Sequence, residues 1–128
     1  MQNSNQYKEI GSEFTRIYYS SAADSVSKVV ELLSPNALCT INDEEIIGSY
    51  NWLLCMTRKD IYRFEYSGIS CTYQPMNYAV LVTVEGDMKP INFWNQNVNS
   101  WVHFNETFIL EKNGNNYIVT NYILKTRV

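Results

Sequence analysis

Residues 101–125 read WVHFNETFILEKNGNNYIVTNYILK, and this stretch predicts a long β-hairpin. Two segments, 101–111 and 116–125, alternate apolar with polar side chains as strands do. Asn-Gly-Asn at 113–115 separates them, and an Asn-Gly turn accepts positive φ at low steric cost. We therefore expect this stretch to form two paired strands of an antiparallel sheet.

The opposite end of the chain predicts an amphipathic helix. Ile10, Phe14, Ile17 and Tyr18 recur at i, i+4, i+7 and i+8, which places them along one stripe of a helix. A helix at one end and a hairpin at the other indicate a sheet that curls over helices.

The middle of the chain supplies further short elements. Helical spacing predicts a second, short helix at 24–33 and a third helix at 50–57. Strand patterns cover residues 37–41, 45–47, 63–73 and 78–84. Residues 87–100 have no repeated pattern and are expected to form a loop or loosened strand ends. This order predicts an α+β domain, with helices gathered on one face of a curved antiparallel sheet.

Length and composition restrict the classes of function that we expect for this chain. A chain of 128 residues fits one domain, 1–128, with a sizeable core. The net charge of −3, with scattered Lys and Arg, argues against direct nucleic-acid binding, and the lack of a ~20-residue apolar run argues against a membrane span. Three widely spaced cysteines and one histidine do not form a metal-binding pattern. We expect no cofactor and no metal.

The strand at 78–84 is apolar on both faces, which predicts a protein interface. A strand of this kind needs cover on both sides of an antiparallel sheet, and helices supply only one. The simplest second cover is another subunit, so we expect a dimer through the sheet. The residues expected in that interface are Tyr78, Val80, Val82, Trp101 and Ile109.

Three segments carry a resemblance to the nuclear transport factor 2-like family. They are Ile-Gly-x-x-Phe-x-x-x-Tyr-Tyr at 10–19, Phe-Asn-Glu-Thr-Phe-Ile-Leu at 104–110 and Tyr-Ile-Val-x-Asn-x-Ile-Leu at 117–124. The resemblance extends from about Tyr7 to Lys125. It implies a cone of three helices packed on a strongly curved, mostly antiparallel sheet. It also implies a location in the cytoplasm, in the nucleus and at the pores of the nuclear envelope.

The resemblance implies a non-enzymatic transport factor that binds Phe-Gly repeats of nucleoporins. The family's transport factor has an aromatic residue just before the same Ile-Gly pair, and Tyr7 stands at that place. A partly exposed ring at a helix start offers an apolar wall for a Phe side chain. The alternative is a hydrophobic staple that closes the first helical turn.

The resemblance also implies a possible contact with the GTPase Ran in its GDP form. The family's transport factor uses an aromatic-acid pair on its first hairpin, where this chain has Ile41 and Asn42, followed by Asp43. Residues 89–100 contain no acid. Without acidic side chains at these places, docking onto the basic switch regions of Ran would lose its main electrostatic attraction. We expect weak or absent Ran binding.

Other branches of the family remain open as alternatives. One is the accessory subunit of the messenger-RNA export receptor, and another is the dimerisation domain of stress-granule scaffolds. A different class is a small isomerase or dehydratase that would use His103 and an inward carboxylate as acid and base. Glu106 shares the strand parity of Phe104 and Phe108, which makes it the least ordinary of the carboxylates.

Overall fold

Two α-helices and a 3₁₀ helix pack against one six-stranded sheet in the computed structural model, which describes residues 6–94 and 99–127. In chain order the elements are α1 (Gln6–Asp24), the 3₁₀ helix (Val26–Leu32), β1 (Leu33–Ile41), β2 (Glu44–Ile47), α2 (Ser49–Arg58), β3 (Ile61–Met76), β4 (Ala79–Asn92), β5 (Val102–Asn113) and β6 (Asn116–Arg127). Within these residues, neither α-helix combines the length and the apolar character that crossing a bilayer requires.

The strand order in the sheet is β2-β1-β6-β5-β4-β3. Only β1 and β6 pair in parallel, and the other four pairs are antiparallel. The predicted hairpin is confirmed, since Asn113 pairs with Asn116 and Gly114 takes the positive φ of 65° that its turn requires. The α+β architecture, with helices on one face of a curled and open sheet, is also confirmed.

A glycine pair helps the long β3–β4 ribbon to bend. The register between β3 and β4 shifts between Ser67 and Ser70, and Gly68 inside this irregularity has φ 64°. On the facing strand, a Cβ at Gly86 would lie 3.2 Å from the backbone of β3. Bulges of this kind increase local twist and turn a sheet around its core.

The core lies between the helices and the concave face of the sheet. Phe104, Phe108 and Leu110 of β5 are fully buried there, beside the valines of β4. Val80 and Val82 belong to this inner set, with no exposed surface, and pair with Leu110 and Phe108. Their place in a dimer interface was therefore a wrong prediction. The strand looked apolar on both faces, but its valines point into the core of the same chain.

Two further predictions need correction. Residues 87–92 continue β4, because they pair with β3 from Ile61 to Ser67 and with the start of β5. Residues 95–98 of the predicted loop lie outside the described residues. The second helix, predicted at 24–33, is a short 3₁₀ helix at Val26–Leu32 capped by Ser25, whose hydroxyl accepts from the Ser27 amide.

Candidate functional site

Two rows of side chains on α1 meet different neighbours. The row of Tyr7, Gly11 and Thr15 faces β3, and Thr15 Oγ1 hydrogen-bonds the Tyr73 hydroxyl at 3.0 Å. A Cβ at Gly11 would lie only 2.4 Å from the Tyr73 ring, so the missing side chain allows the ring to lie against the helix. Tyr7 is half-buried on α1 and packs at the edge of the core.

The other row of α1 borders an open groove of about 590 Å³, which we call the α1 groove. The groove runs between α1, the 3₁₀ helix and the β5–β6 hairpin. Its apolar lining consists of Ile10, Phe14, Ile17, Leu32 and Tyr117. All but Phe14 are partly exposed, so the groove presents apolar surface to a ligand. Its volume falls within the range of small-ligand pockets. Tyr7 does not line it.

Glu106 stands inside the cone, only 2 % exposed, with three tyrosine hydroxyls around its carboxylate. Tyr19 donates to Oε1 at 2.8 Å, Tyr18 donates to Oε2 at 3.3 Å, and Tyr122 also donates to Oε2. Burial raises the pKa of Glu106 to about 7, although the three hydrogen bonds oppose the rise. Burial and the nearby carboxylate raise the pKa of Tyr18 and Tyr122 well above the usual range, so their hydroxyls stay protonated.

The chemistry open to Glu106 is limited by its surroundings. A carboxyl whose pKa lies near 7 suits proton transfer in principle. Both of its oxygens are already engaged, and the aromatic rings of Phe104, Phe108 and Tyr66 pack against its tyrosine partners. The arrangement ties α1 to β5 and β6.

His103 lies away from this cluster. The open face of the sheet is the one opposite the helices, and β5 directs His103 to it because His103 alternates with the buried Phe104. There His103 Nδ1 lies 3.3 Å from an oxygen of Asp87. The sequence could not choose between the two faces, and the structure separates His103 from Glu106. The two residues therefore do not form an acid-base pair.

The open face also carries an exposed apolar patch. A shallow hollow of about 140 Å³ is lined by Leu38, Thr40, Thr107, Ile109, Asn121, Tyr122 and Ile123. Leu38 and Ile123 are 45 % and 44 % exposed, and Ile109 is half-buried beside Leu81. Trp101 is 47 % exposed directly before β5, and Tyr78 is exposed in the β3–β4 turn. For these last two and Ile109, the interface stays a prediction.

The β1–β2 turn holds the residues considered for a GTPase contact. Ile41 is buried in the core, so the structure does not offer its side chain to a partner. The Asn42 side chain is bound to Thr126 of β6, accepting from its amide at 2.9 Å, while Asn42 itself takes a positive φ of 55°. Asp43 is exposed. Asn42 therefore anchors the turn to β6, and weak Ran binding stays a prediction.

The family of the chain follows from its sequence together with this fold. A sequence model of the nuclear transport factor 2 domain matches residues 10–126. The chain belongs to the nuclear transport factor 2 domain family. The match begins at the Ile10-Gly11 pair of α1 and ends in β6, so it includes the open face and all of the α1 groove except Gln6 and Glu9.

Solved structures share this fold across nearly the whole chain. Nuclear transport factor 2 from Cryptosporidium parvum is 21% identical, with a TM-score of 0.77 and 99% of each chain covered. The yeast Ubp3-associated protein Bre5 is 22% identical, with a TM-score of 0.69, and the match covers 94% of this chain and 95% of Bre5. A putative dehydratase from Streptomyces avermitilis is 8% identical, with a TM-score of 0.78 and coverage of 98% and 99%. No curated protein matches the chain by sequence.

These neighbours identify the fold and leave the activity open. The fold is shared by a transport factor, a protein associated with a deubiquitinase and a putative dehydratase. The function of this nuclear transport factor 2 domain therefore depends on the surfaces that this chain presents.

Sequence reasoning missed the α1 groove because its walls come from distant segments. Ile10 and Ile17 belong to the apolar stripe of the predicted helix. The structure leaves them half-exposed, because Leu32 and Tyr117 stand apart from α1 and do not close over it. No local sequence pattern encodes the distance between these segments and α1. The tyrosine cluster had a faint signal, since Glu106 shares the parity of two buried phenylalanines.

Proposed function

We propose that this protein is a non-enzymatic binding module of nucleocytoplasmic transport, which works as a dimer and recognises Phe-Gly segments of nucleoporins. It would act in the cytoplasm, in the nucleus and at nuclear pores. The α1 groove is the observation that carries the proposal. The groove is concave and lined by apolar side chains. It borders α1, the helix on which the sequence predicts an aromatic site.

A Phe side chain of a disordered segment suits the α1 groove for physical reasons. Tyr117 supplies an aromatic wall, while Ile10, Ile17 and Leu32 supply aliphatic contacts around it. Aromatic contacts of this kind contribute about 0.5–1.5 kcal/mol beyond the burial of area. The polar side chains of Asn115 and Asn116 at the hairpin can hydrogen-bond a peptide backbone.

The filled interior supports a binding role over catalysis. Trp52 is 2 % exposed and Phe64 is 6 % exposed, and both belong to the core together with Tyr66. The carboxylate of Glu106 already accepts hydrogen bonds from Tyr18, Tyr19 and Tyr122. The alternative from a different functional class is a small dehydratase or isomerase. The likeness to a putative dehydratase supports this alternative.

A second candidate within binding is an accessory subunit or dimerisation domain that holds a larger protein. The likeness to the Ubp3-associated protein Bre5 favours it. The open face would then hold a different partner in place of a second copy. Purification of the protein from its native cell, followed by identification of co-purifying chains, distinguishes nucleoporins from one stable large partner.

A titration with a Phe-Gly peptide, followed by NMR chemical shifts, tests the proposal. We expect shifts around Ile10, Ile17 and Tyr117, and we expect Ile17→Lys to weaken binding by about 2 kcal/mol, the scale of a hot-spot contact. Tyr7→Ala is the matched variant on the same helix. If Tyr7 forms the site instead, Tyr7→Ala loses about 1–2 kcal/mol and Ile17→Lys loses little. Absence of binding by the folded wild type contradicts the proposal.

A further inference from the structure

The charges on the rim of the α1 groove are unequal. Three acids line the groove, Glu9 and Glu13 from α1 and Glu31 from the 3₁₀ helix. Among the groove-lining residues that the structure describes, Lys112 is the one base. A ligand seated in the groove would therefore meet acids on both helical walls and a base on the hairpin wall.

The local ion pairs leave two of the acids uncompensated. Arg16 binds Glu13 through a 2.6 Å contact with Oε1, and this pairing lowers the pKa of Glu13. Within the described residues, no ion pair engages Glu9 or Glu31. These two side chains are exposed, so they are free to meet a charge on a ligand.

We propose that the α1 groove selects Phe-containing peptides whose Phe is flanked by Lys or Arg, and disfavours peptides whose Phe is flanked by Asp or Glu. The proposal rests on the proposed function, since it assigns the flanking chemistry of the same peptide. The Phe would bury its ring against Ile10, Ile17 and Tyr117, while basic flanking residues would approach Glu9 and Glu31. Acidic flanks would find one partner, Lys112, and would be repelled by both helical walls.

Binding of three labelled peptides, measured by fluorescence anisotropy, tests the proposal. In each peptide a central Phe-Gly pair is flanked on both sides by two Lys, two Ser or two Asp. We expect the Lys peptide to bind roughly three- to tenfold more tightly than the Asp peptide at low salt, as two exposed charge pairs would give. The Ser peptide should fall between them. High salt should bring the three affinities together, because exposed charges are screened.

Two matched variants locate the preference. Glu9→Gln combined with Glu31→Gln removes two acids from the groove, and we expect the Lys-over-Asp preference to vanish while the Ser peptide keeps its affinity. Asp43→Asn combined with Glu45→Gln removes the same charge from the exposed β1–β2 hairpin, outside the groove lining. This control should keep the preference.

The outcomes separate this inference from the proposed function. Equal binding of the Lys and Asp peptides, or a stronger Asp peptide, overturns the charge selection while the groove stands as a Phe site. A preference that survives loss of Glu9 and Glu31 does not come from these acids, and one that falls equally in the control comes from the net charge of the protein; either result overturns the inference. No binding of any peptide overturns both.

Discussion

Glu106 is the residue whose chemistry burial changes most clearly. Its side chain follows the alternation of β5 into a fully buried place, where a charge is costly. Three tyrosine hydroxyls reduce that cost, but they do not remove it, because the pKa still rises to about 7. Within the described residues, no cation contacts Glu106. The groups that face its carboxylate are Tyr18, Tyr19, Tyr66 and Tyr122.

Loss of this carboxyl should change how stability depends on pH. The pKa of Glu106 is higher in the folded state than the 4.5 of an exposed Glu, so its contribution is fully present below pH 4.5 and is lost as pH rises through about 7. A shift of this size corresponds to about 3 kcal/mol. We expect Glu106→Gln to remove that pH dependence and to unfold at higher urea than the wild type at alkaline pH.

Urea unfolding of the wild type and of Glu106→Gln, from below pH 4.5 to alkaline pH, measures the effect. The difference between them isolates Glu106 from other titrating groups. Glu85→Gln, an exposed carboxylate on β4, is the control and should follow the wild type. Parallel pH profiles for wild type and Glu106→Gln would reject the assignment.

At the scale of elements, α1 is held to the sheet by close approach as well as by apolar burial. The Phe14 and Tyr18 rings contact Phe108 at centroid distances of 5.1 Å and 4.8 Å. On the neighbouring row, Gly11 leaves room for Tyr73. Glycine within a helix costs about 1 kcal/mol relative to alanine, so close packing is a physical reason for its presence here.

Gly11→Ala should destabilise the protein, although alanine is the better helix former. The added Cβ would lie 2.4 Å from Cδ1 of Tyr73, whose ring is held at its far end by the hydrogen bond to Thr15. Overpacking costs about 1–3 kcal/mol, and the helix propensity of alanine offsets about 1 kcal/mol of it. Urea unfolding should therefore show a net loss of up to about 2 kcal/mol.

Two companion variants make this test specific. Ser12→Ala, at the exposed neighbouring position of α1, should change stability by less than about 0.5 kcal/mol. In a Tyr73→Ala background the ring atoms that crowd the added Cβ are absent, and Gly11→Ala should cost little. A stable Gly11→Ala variant in the wild-type background would mean that the ring moves aside freely.

At the scale of the whole molecule, the open face decides how copies could meet. The concave face is filled by the core, and the opposite face leaves Leu38, Ile109 and Ile123 partly uncovered. Contiguous apolar surface of this kind is typical of protein interfaces. It lies on β1, β5 and β6, and not on the valines of β4 that the sequence suggested.

Dimerisation through this patch can be tested by analytical ultracentrifugation at micromolar concentration. We expect the wild type to sediment as a dimer. Ile109→Lys combined with Ile123→Lys should give a folded monomer, since it would place charges in an apolar interface without partners. Tyr78→Lys, in the β3–β4 turn, measures how far the interface extends. A monomeric wild type rejects the homodimer, and a dimeric double variant rejects this patch as its site.

The sequence alone determined the elements and the class of fold. Alternation in 101–125 with a glycine turn specifies a hairpin, and the stripe from Ile10 to Tyr18 specifies a helix, because both signals depend on neighbours within a few residues. The family resemblance rests on the same segments, and the match to residues 10–126 confirms it. Strand β4 beyond Val84 was missed, since its pairing with β3 and β5 overrides weak local propensity.

The tertiary structure decided which face each strand residue occupies and which surfaces stay open. Val80 and Val82 read as interface residues in sequence, yet the curl of the sheet directs them inward, while His103 is directed outward. The α1 groove depends on the distance between α1, the 3₁₀ helix and the hairpin, and the cluster around Glu106 joins residues nearly ninety positions apart. Such distances follow from the packing of whole elements, and no local pattern of side chains encodes them.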